Sequence, residues 1–121
     1  MDEKMSEAET RIAEWVWANP GIGSMKLVKM CEANYGWKQS TVYTLLARMR
    51  RKGVLVNEHA TLHMAIDRTV YYQQYARVLL DQYWQGSLYA FVASCTADGI
   101  DVEQAGRLIH LIRMKTKGGI R

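Results

Sequence analysis

Residues Lys38 to Gly53 read K-Q-S-T-V-Y-T-L-L-A-R-M-R-R-K-G. Val42, Leu45, Leu46 and Met49 recur at i, i+3, i+4 and i+7, which on a helix of about 3.6 residues per turn is a single apolar stripe. The spacing predicts a helix that begins at Ser40 or Thr41 and stops at Gly53, a good residue just past a helix end because it enters the left-handed region without a Cβ penalty. With the stripe turned inward, Thr44, Ala47, Arg48 and Arg51 lie on the opposite face, flanked by Tyr43. That face is small, polar and basic.

Upstream, Ser6 and Glu9 form a capping box, since hydroxyl and carboxylate can each satisfy an orphan backbone N–H at a helix start. Ile12, Ala13, Val16 and Trp17 supply the stripe of that first helix, and Asn19-Pro20-Gly21 ends it. Ser24 is the expected N-cap of a second helix, with Leu27, Val28 and Cys31 as its inner face up to Gly36. Downstream of Gly53 the period changes. Val54-Leu55-Val56, then Leu62, Met64 and Ile66 alternating with His63 and Ala65, predict two strands around a turn at Glu58-His59-Ala60-Thr61. Helix, helix, basic helix and hairpin in that order is the winged variant of the helix-turn-helix.

Asp67 is placed to cap a fourth helix through Tyr75, Leu79 and Tyr83 to about Gln85, where Gly86-Ser87 interrupts it. A fifth carries Leu88, Phe91, Val92 and Cys95, and Asp101 with Gln104 opens a sixth bearing Val102, Ala105, Leu108, Ile109 and Ile112. The expected fold is mainly α with some β: a winged helix-turn-helix with a hairpin wing over 1–66, followed by a helical dimerisation segment over 67–121. Those last 55 residues cannot bury two apolar helical stripes alone. A symmetric interface between two copies, built on Leu88, Phe91, Val92, Cys95, Leu108, Ile109 and Ile112, is therefore expected.

Composition narrows the function classes. Apolar residues are 49% and charged residues 23% of the chain, near globular averages, which argues against disorder. The longest uncharged stretch, Gln82 to Ala97, contains Gln85, Gly86, Ser87 and Ser94 and is shorter than the ~20 apolar residues of a spanning helix. Met1 to Glu9 is acidic and has no apolar core of the secretory kind, so a cytoplasmic location is expected. Cys31 and Cys95 are far apart and without C-x-x-C spacing, which indicates neither a disulfide framework nor a zinc site. The net charge of +4 is modest, but between Glu32 and Glu58 there is no acidic residue while Lys38, Arg48, Arg50, Arg51 and Lys52 all fall there. That window is the candidate anion-binding surface.

A helix that enters a DNA major groove needs short side chains near its leading end, a guanidinium that can grip guanine, and cations at its margins for phosphates. Ser40, Thr41, Thr44, Ala47 and Arg48 meet the first two needs, with Gln39 and Tyr43 beside them, and Lys38, Arg50, Arg51 and Lys52 meet the last. His59 and His63 flank the wing turn in a solvated or phosphate-facing role. An R-M-R-R-K run at a helix C-terminus is also what the helix dipole favours on any solvated face. The alternative reading is thus a helical dimeric adaptor whose basic helix binds an acidic protein, or an RNA-binding module. Neither a nucleophile paired with His and Asp/Glu, a Gly-rich phosphate loop, nor a metal-ligand cluster is present, so neither enzyme activity nor a cofactor is expected.

Ser6-Glu7-Ala8-Glu9 with Trp17, then Trp37 with Ser40-Thr41-Val42-Tyr43-Thr44-Leu45-Leu46-Ala47-Arg48 and Lys52-Gly53, resembles the penicillinase repressor family of winged-helix regulators. Tyr83-Trp84-Gln85-Gly86-Ser87 is similar to the aromatic-glycine-serine junction in that family's dimerisation segment. The resemblance implies a homodimer on an inverted-repeat DNA operator, with Thr41, Thr44 and Arg48 in the recognition helix, Tyr83 and Trp84 in the dimer interface, and a sensor peptidase as a further partner. Departures are Thr10 in place of a common Trp, Lys38 in place of a Ser or Thr N-cap, and a short wing without the family's Gly-Arg and tyrosine pattern. Lys115 to Arg121 holds no C-x-C pair, which disfavours the copper-sensing branch, and Ser94-Cys95 stands where the β-lactam branch is cut at an Asn-Phe bond.

Overall fold

A computed structural model describes residues 4–118; the first three and last three residues, which include parts of the N-terminal and C-terminal stretches read above, lie outside them. The elements run α1 (Glu7–Ala18), β1 (Ile22–Gly23), α2 (Ser24–Tyr35), α3 (Gln39–Arg51), β2 (Leu55–Glu58), β3 (Thr61–Met64), α4 (Arg68–Trp84), α5 (Leu88–Cys95) and α6 (Val102–Lys115). The chain divides into two compact units, Met1–Val78 and Leu79–Arg121.

In the first unit α1 opens with the full capping box. Glu9 N–H donates to Ser6 Oγ at 3.2 Å and Ser6 N–H to Glu9 Oε1 at 3.0 Å. Its stripe is buried through Ile12, Ala13 and Val16. The second helix starts one residue differently from expectation: Gly23 is the N-cap, without a side-chain bond, and Ser24 is buried in the first turn. The reason is a strand that periodicity could not reveal. Ile22 and Gly23 pair with Leu62 and Thr61, so the hairpin becomes a three-stranded antiparallel sheet of order β1-β3-β2. Two residues show no period.

The β2–β3 hairpin closes through His59 and Ala60 alone, both at positive φ, 54° and 61°. Two successive left-handed residues make the type I′ turn whose twist suits a two-residue hairpin, here without the usual Asn-Gly. The register places Val56 opposite His63 and Leu55 opposite Met64. Leu55 and Leu62 go into the core; Val56 and His63 go to solvent.

The core joins Ile12, Ala13 and Val16 of α1, Leu27, Val28 and Cys31 of α2, Val42, Leu45, Leu46 and Met49 of α3, and Leu62 of β3. Each fully buried aliphatic side chain contributes about 1.5 to 3 kcal/mol relative to exposure, which fixes the roll of α3 about its axis. Burial pushes the Cys31 thiol up to about 11, in keeping with its reading as a small hydrophobe.

The start of α4 belongs to this unit as well. Asp67 Oδ2 accepts from Thr69 N–H at 3.1 Å. Tyr71 is buried, its hydroxyl accepting from Met5 N–H at 2.9 Å. Tyr72 donates to Glu14 Oε1 at 2.6 Å, and Trp17 Nε1 donates to Ile66 O at 2.9 Å. The compact unit therefore runs on past 66/67 into α4, as far as Val78, because these tyrosines pack against α1.

In the second unit α4 ends at Gln85 and Gly86, both at positive φ, with Gly86 N–H donating to Leu80 O at 3.1 Å. Trp84 meets Phe91 edge to face at 5.0 Å, and its Nε1 donates to Ser94 Oγ at 3.1 Å. Asp101 caps α6 by accepting from Gln104 N–H at 2.9 Å. Neither α5 nor α6 contains a buried residue. Leu88, Tyr89, Ile109, Ile112 and Met114 are 60%, 84%, 50%, 52% and 70% exposed. No helix among the described residues is long and apolar enough to cross a membrane.

Candidate nucleic-acid interface

The third helix begins at Gln39, one residue before the expected start, with Lys38 as its N-cap and no side-chain cap bond. It ends at Arg51, with Lys52 as its C-cap and Gly53 next at φ +78°. Val42, Leu45, Leu46 and Met49 are all buried. Gln39, Ser40, Thr41, Tyr43, Thr44, Ala47, Arg48, Arg50 and Arg51 are all exposed, as is Lys38 before them.

Polar geometry on this face is partly committed. Thr44 Oγ1 donates to Ser40 O, one turn earlier, at 2.9 Å. Tyr43 Oη donates to Met25 Sδ at 3.2 Å, tying the middle of α3 to the first turn of α2. Arg48, Arg50, Arg51 and Lys38 enter no ion pair among the described residues. Arg48, Arg50 and Arg51 crowd the last turn, where the helix dipole favours cations. The face therefore presents short side chains at its leading half and unneutralised guanidinium groups at its trailing end.

One expected member is elsewhere. Lys52 Nζ donates to Glu9 Oε1 at 2.7 Å and to Lys4 O at 3.1 Å, and its side chain is only 17% exposed. Unlike the other cations expected at the margins of this face, Lys52 pins the end of α3 to the start of α1. Burial pushes the Glu9 carboxyl up, but the bonds from Lys52 and from Ser6 outweigh it and hold the group below the usual carboxylate range. In sequence Lys52 is one more cation in an R-R-K run. Only the fold shows that a buried carboxylate, Glu9, waits for it; the capping box was the sole hint that Glu9 is held in place.

His59 and His63 are both exposed, the first in the wing turn and the second on β3. The structure thus brings Lys38, Gln39, Ser40, Thr41, Tyr43, Thr44, Ala47, Arg48 and Arg51 onto one helix and its leading edge, and sets the two histidines on the hairpin. Sequence reasoning missed the Tyr43–Met25 contact, for which no local signal exists. Among the described residues no group of three or more His, Cys, Asp or Glu could hold a metal ion.

The residues set aside for a dimer lie in the second unit. Tyr83, Leu88, Phe91, Cys95, Ile109 and Ile112 are exposed, and Trp84, Val92 and Leu108 half-buried. Along α6 a shallow groove of about 830 Å³ is lined by residues that include Val102, Arg107, Leu108, Leu111 and Met114. Cys95 is exposed, with no neighbouring cysteine.

Comparison with known proteins gives concordant matches. A family model described as penicillinase repressor matches residues 5–114. A curated penicillinase repressor from Bacillus licheniformis is 24% identical over 115 residues, which is 90% of this chain and 89% of the relative. Among solved structures, the solution structure of the Bacillus licheniformis BlaI monomeric form in complex with the blaP half-operator matches at a TM-score of 0.50 and 23% identity. That match covers 57% of this chain and 89% of the other. It shows the fold, a winged helix.

Proposed function

Since the chain belongs to the penicillinase repressor family, whose members are transcriptional regulators and not enzymes, we propose that it is a cytoplasmic repressor that binds double-stranded DNA through α3. The observation that carries this reading is the division of α3 into a buried stripe and an exposed face of short side chains with free guanidinium groups. Such a helix can approach base edges closely while its margins meet phosphates. In this reading Thr41, Thr44, Ala47 and Arg48 face bases, Lys38, Gln39, Ser40, Tyr43 and Arg51 line the groove and backbone, and His59 and His63 bring the wing to a flanking phosphate.

The repressor acts as a homodimer on an inverted repeat. The apolar side chains of α5 and α6 are open in the single chain, and burying them between two copies removes that surface from water while supplying the two-fold axis an inverted repeat requires. The dimerisation segment then starts on α4, after the tyrosines that hold it to the winged helix.

Relief of repression follows from the same logic. Cutting one interface helix removes buried area, the protomers part, and the operator is lost by mass action. A sensor peptidase would supply that cut, with a specificity suited to this chain and not to an Asn-Phe bond.

The test is binding of the purified protein to a palindromic duplex, obtained by selection from random sequence, over a range of salt. Affinity that falls steeply with salt and exceeds that for single strands and RNA supports the reading. Equal affinity for all three, or preference for an acidic protein over duplex, overturns it in favour of an RNA-binding or adaptor role.

A further inference from the structure

The leading half of the exposed face of α3 offers less hydrogen-bonding capacity than its residue names suggest. Thr44 is exposed, yet its hydroxyl proton is spent on Ser40 O at 2.9 Å. A threonine whose Oγ1 turns back along the helix to the preceding turn has its one donor engaged there, and the Cγ2 methyl is the other group its side chain carries. Three residues on, and so a neighbour on the same face, stands the exposed Ala47, whose side chain is a methyl alone. Tyr43 beside them has likewise spent its hydroxyl proton, on Met25 Sδ at 3.2 Å. A small apolar patch thus sits immediately before Arg48 on a face otherwise made of polar and cationic groups.

In the major groove, one base alone presents an apolar group to such a patch: thymine, through its C5 methyl. We propose that Thr44 and Ala47 form a specificity-determining methyl patch that reads a thymine in each half-site, beside the base that Arg48 engages. This rests on the DNA-binding reading of α3 and adds the chemistry of one recognised base. A hydroxyl-mediated contact by Thr44 is the competing possibility, since its oxygen keeps lone pairs that an amino group of adenine or cytosine could reach.

The experiment removes one methyl at a time from either partner. In a duplex selected by the protein from random sequence, each thymine is replaced singly by deoxyuridine, which lacks only the C5 methyl, and the affinities of the wild type, Thr44→Ser and Thr44→Val are measured. At one thymine per half-site the wild type should lose about four-fold in affinity, the worth of one buried methyl. Thr44→Ser keeps the hydroxyl and its bond to Ser40 but lacks the methyl, and should distinguish thymine from deoxyuridine less than the wild type does, with only Ala47 left of the patch. Thr44→Val keeps a methyl and lacks the hydroxyl, and should still distinguish them. Salt-dependent, selective duplex binding that is indifferent to every thymine methyl overturns this inference and leaves the DNA-binding reading standing. So does discrimination that is undiminished in Thr44→Ser or lost in Thr44→Val. Failure to select any duplex overturns both.

Discussion

Lys52 Nζ lies 2.7 Å from Glu9 Oε1, joining the residue that caps the C-terminal end of α3 to the one that completes the N-terminal capping box of α1. The carboxylate is 2% exposed, and its second oxygen has no partner among the described residues. Removing the cation leaves a buried charge with only Ser6 to satisfy it. Lys52→Met should therefore destabilise the folded chain by about 3 kcal/mol, read as a lower urea midpoint. Because Lys52 is a tether, the fully folded variant at low temperature should keep the wild-type salt slope for duplex binding. A slope reduced by about one per protomer would return Lys52 to the phosphate contacts.

The same pair sets an acid limit on stability. The folded-state Glu9 carboxyl titrates below its ordinary value of 4.5, so the stability it contributes is fully present above about pH 4.5 and is lost as pH falls through the lowered folded value. Glu14, held low against burial by the Tyr72 hydroxyl and Arg68, works in the same direction but is more exposed and adds less. Urea midpoints measured from pH 7 down to pH 3 should hold steady and then drop below about 4.5. In Glu9→Gln that drop should be shallower. An unchanged acid limb in that variant would remove Glu9 from the cause.

Arg48 and Arg51 sit on the same exposed face but should fail differently. Arg48→Ala should cost about 1 to 3 kcal/mol of binding and relax base preference at one position per half-site, as loss of a guanine contact does. Arg51→Ala, at the margin, should weaken all duplexes about equally and lower the salt slope by about one per protomer. Competition binding with a panel of single-base variants separates the two. If neither substitution changed binding, α3 would not be the reading helix.

Phe91 packs its ring edge to face with Trp84 at 5.0 Å and is still 37% exposed, while Ile109 on α6 is 50% exposed. Phe91→Asp and Ile109→Asp should each shift sedimentation at micromolar protein from dimer toward monomer, and operator affinity should fall in parallel, because a desolvated carboxylate has no partner in an apolar interface. A wild-type chain that sediments as a monomer at that concentration would contradict the dimer.

Ser94 and Cys95 close α5, with Ser94 Oγ both accepting from Trp84 Nε1 and donating to Ala90 O. A peptidase subsite shaped for Asn-Phe would lose its transition-state contacts on this pair. Incubation of the dimer–operator complex with a sensor peptidase of the β-lactam type should yield no fragments. Cleavage between Ser94 and Cys95 would reverse that expectation.

Much of the fold was legible because its signals are local. The capping box at Ser6 and Glu9, the stripe of Val42, Leu45, Leu46 and Met49, and the alternation around Leu62 each lie within a few residues of one another. Helix and strand periods are properties of such short windows. The exposed face of α3 followed at once, since burying one stripe of a helix dictates which residues remain outside.

What the chain determined by itself, then, is its winged-helix order and the identity of the face that α3 leaves open. Tertiary structure alone decided the rest. Ile22–Gly23 is too short to carry a period and became a strand only when Leu62 and Thr61 came beside it. Lys52 was indistinguishable from Arg50 and Arg51 until Glu9, far away in sequence, was folded within 2.7 Å of it. Tyr43 and Thr44 spend their hydroxyl protons on Met25 and on Ser40, and with that two residues that read as free donors kept only the lone pairs of their oxygens for an outside partner. A side chain's chemistry depends on which partners have already claimed it, and that accounting closes only when distant segments meet.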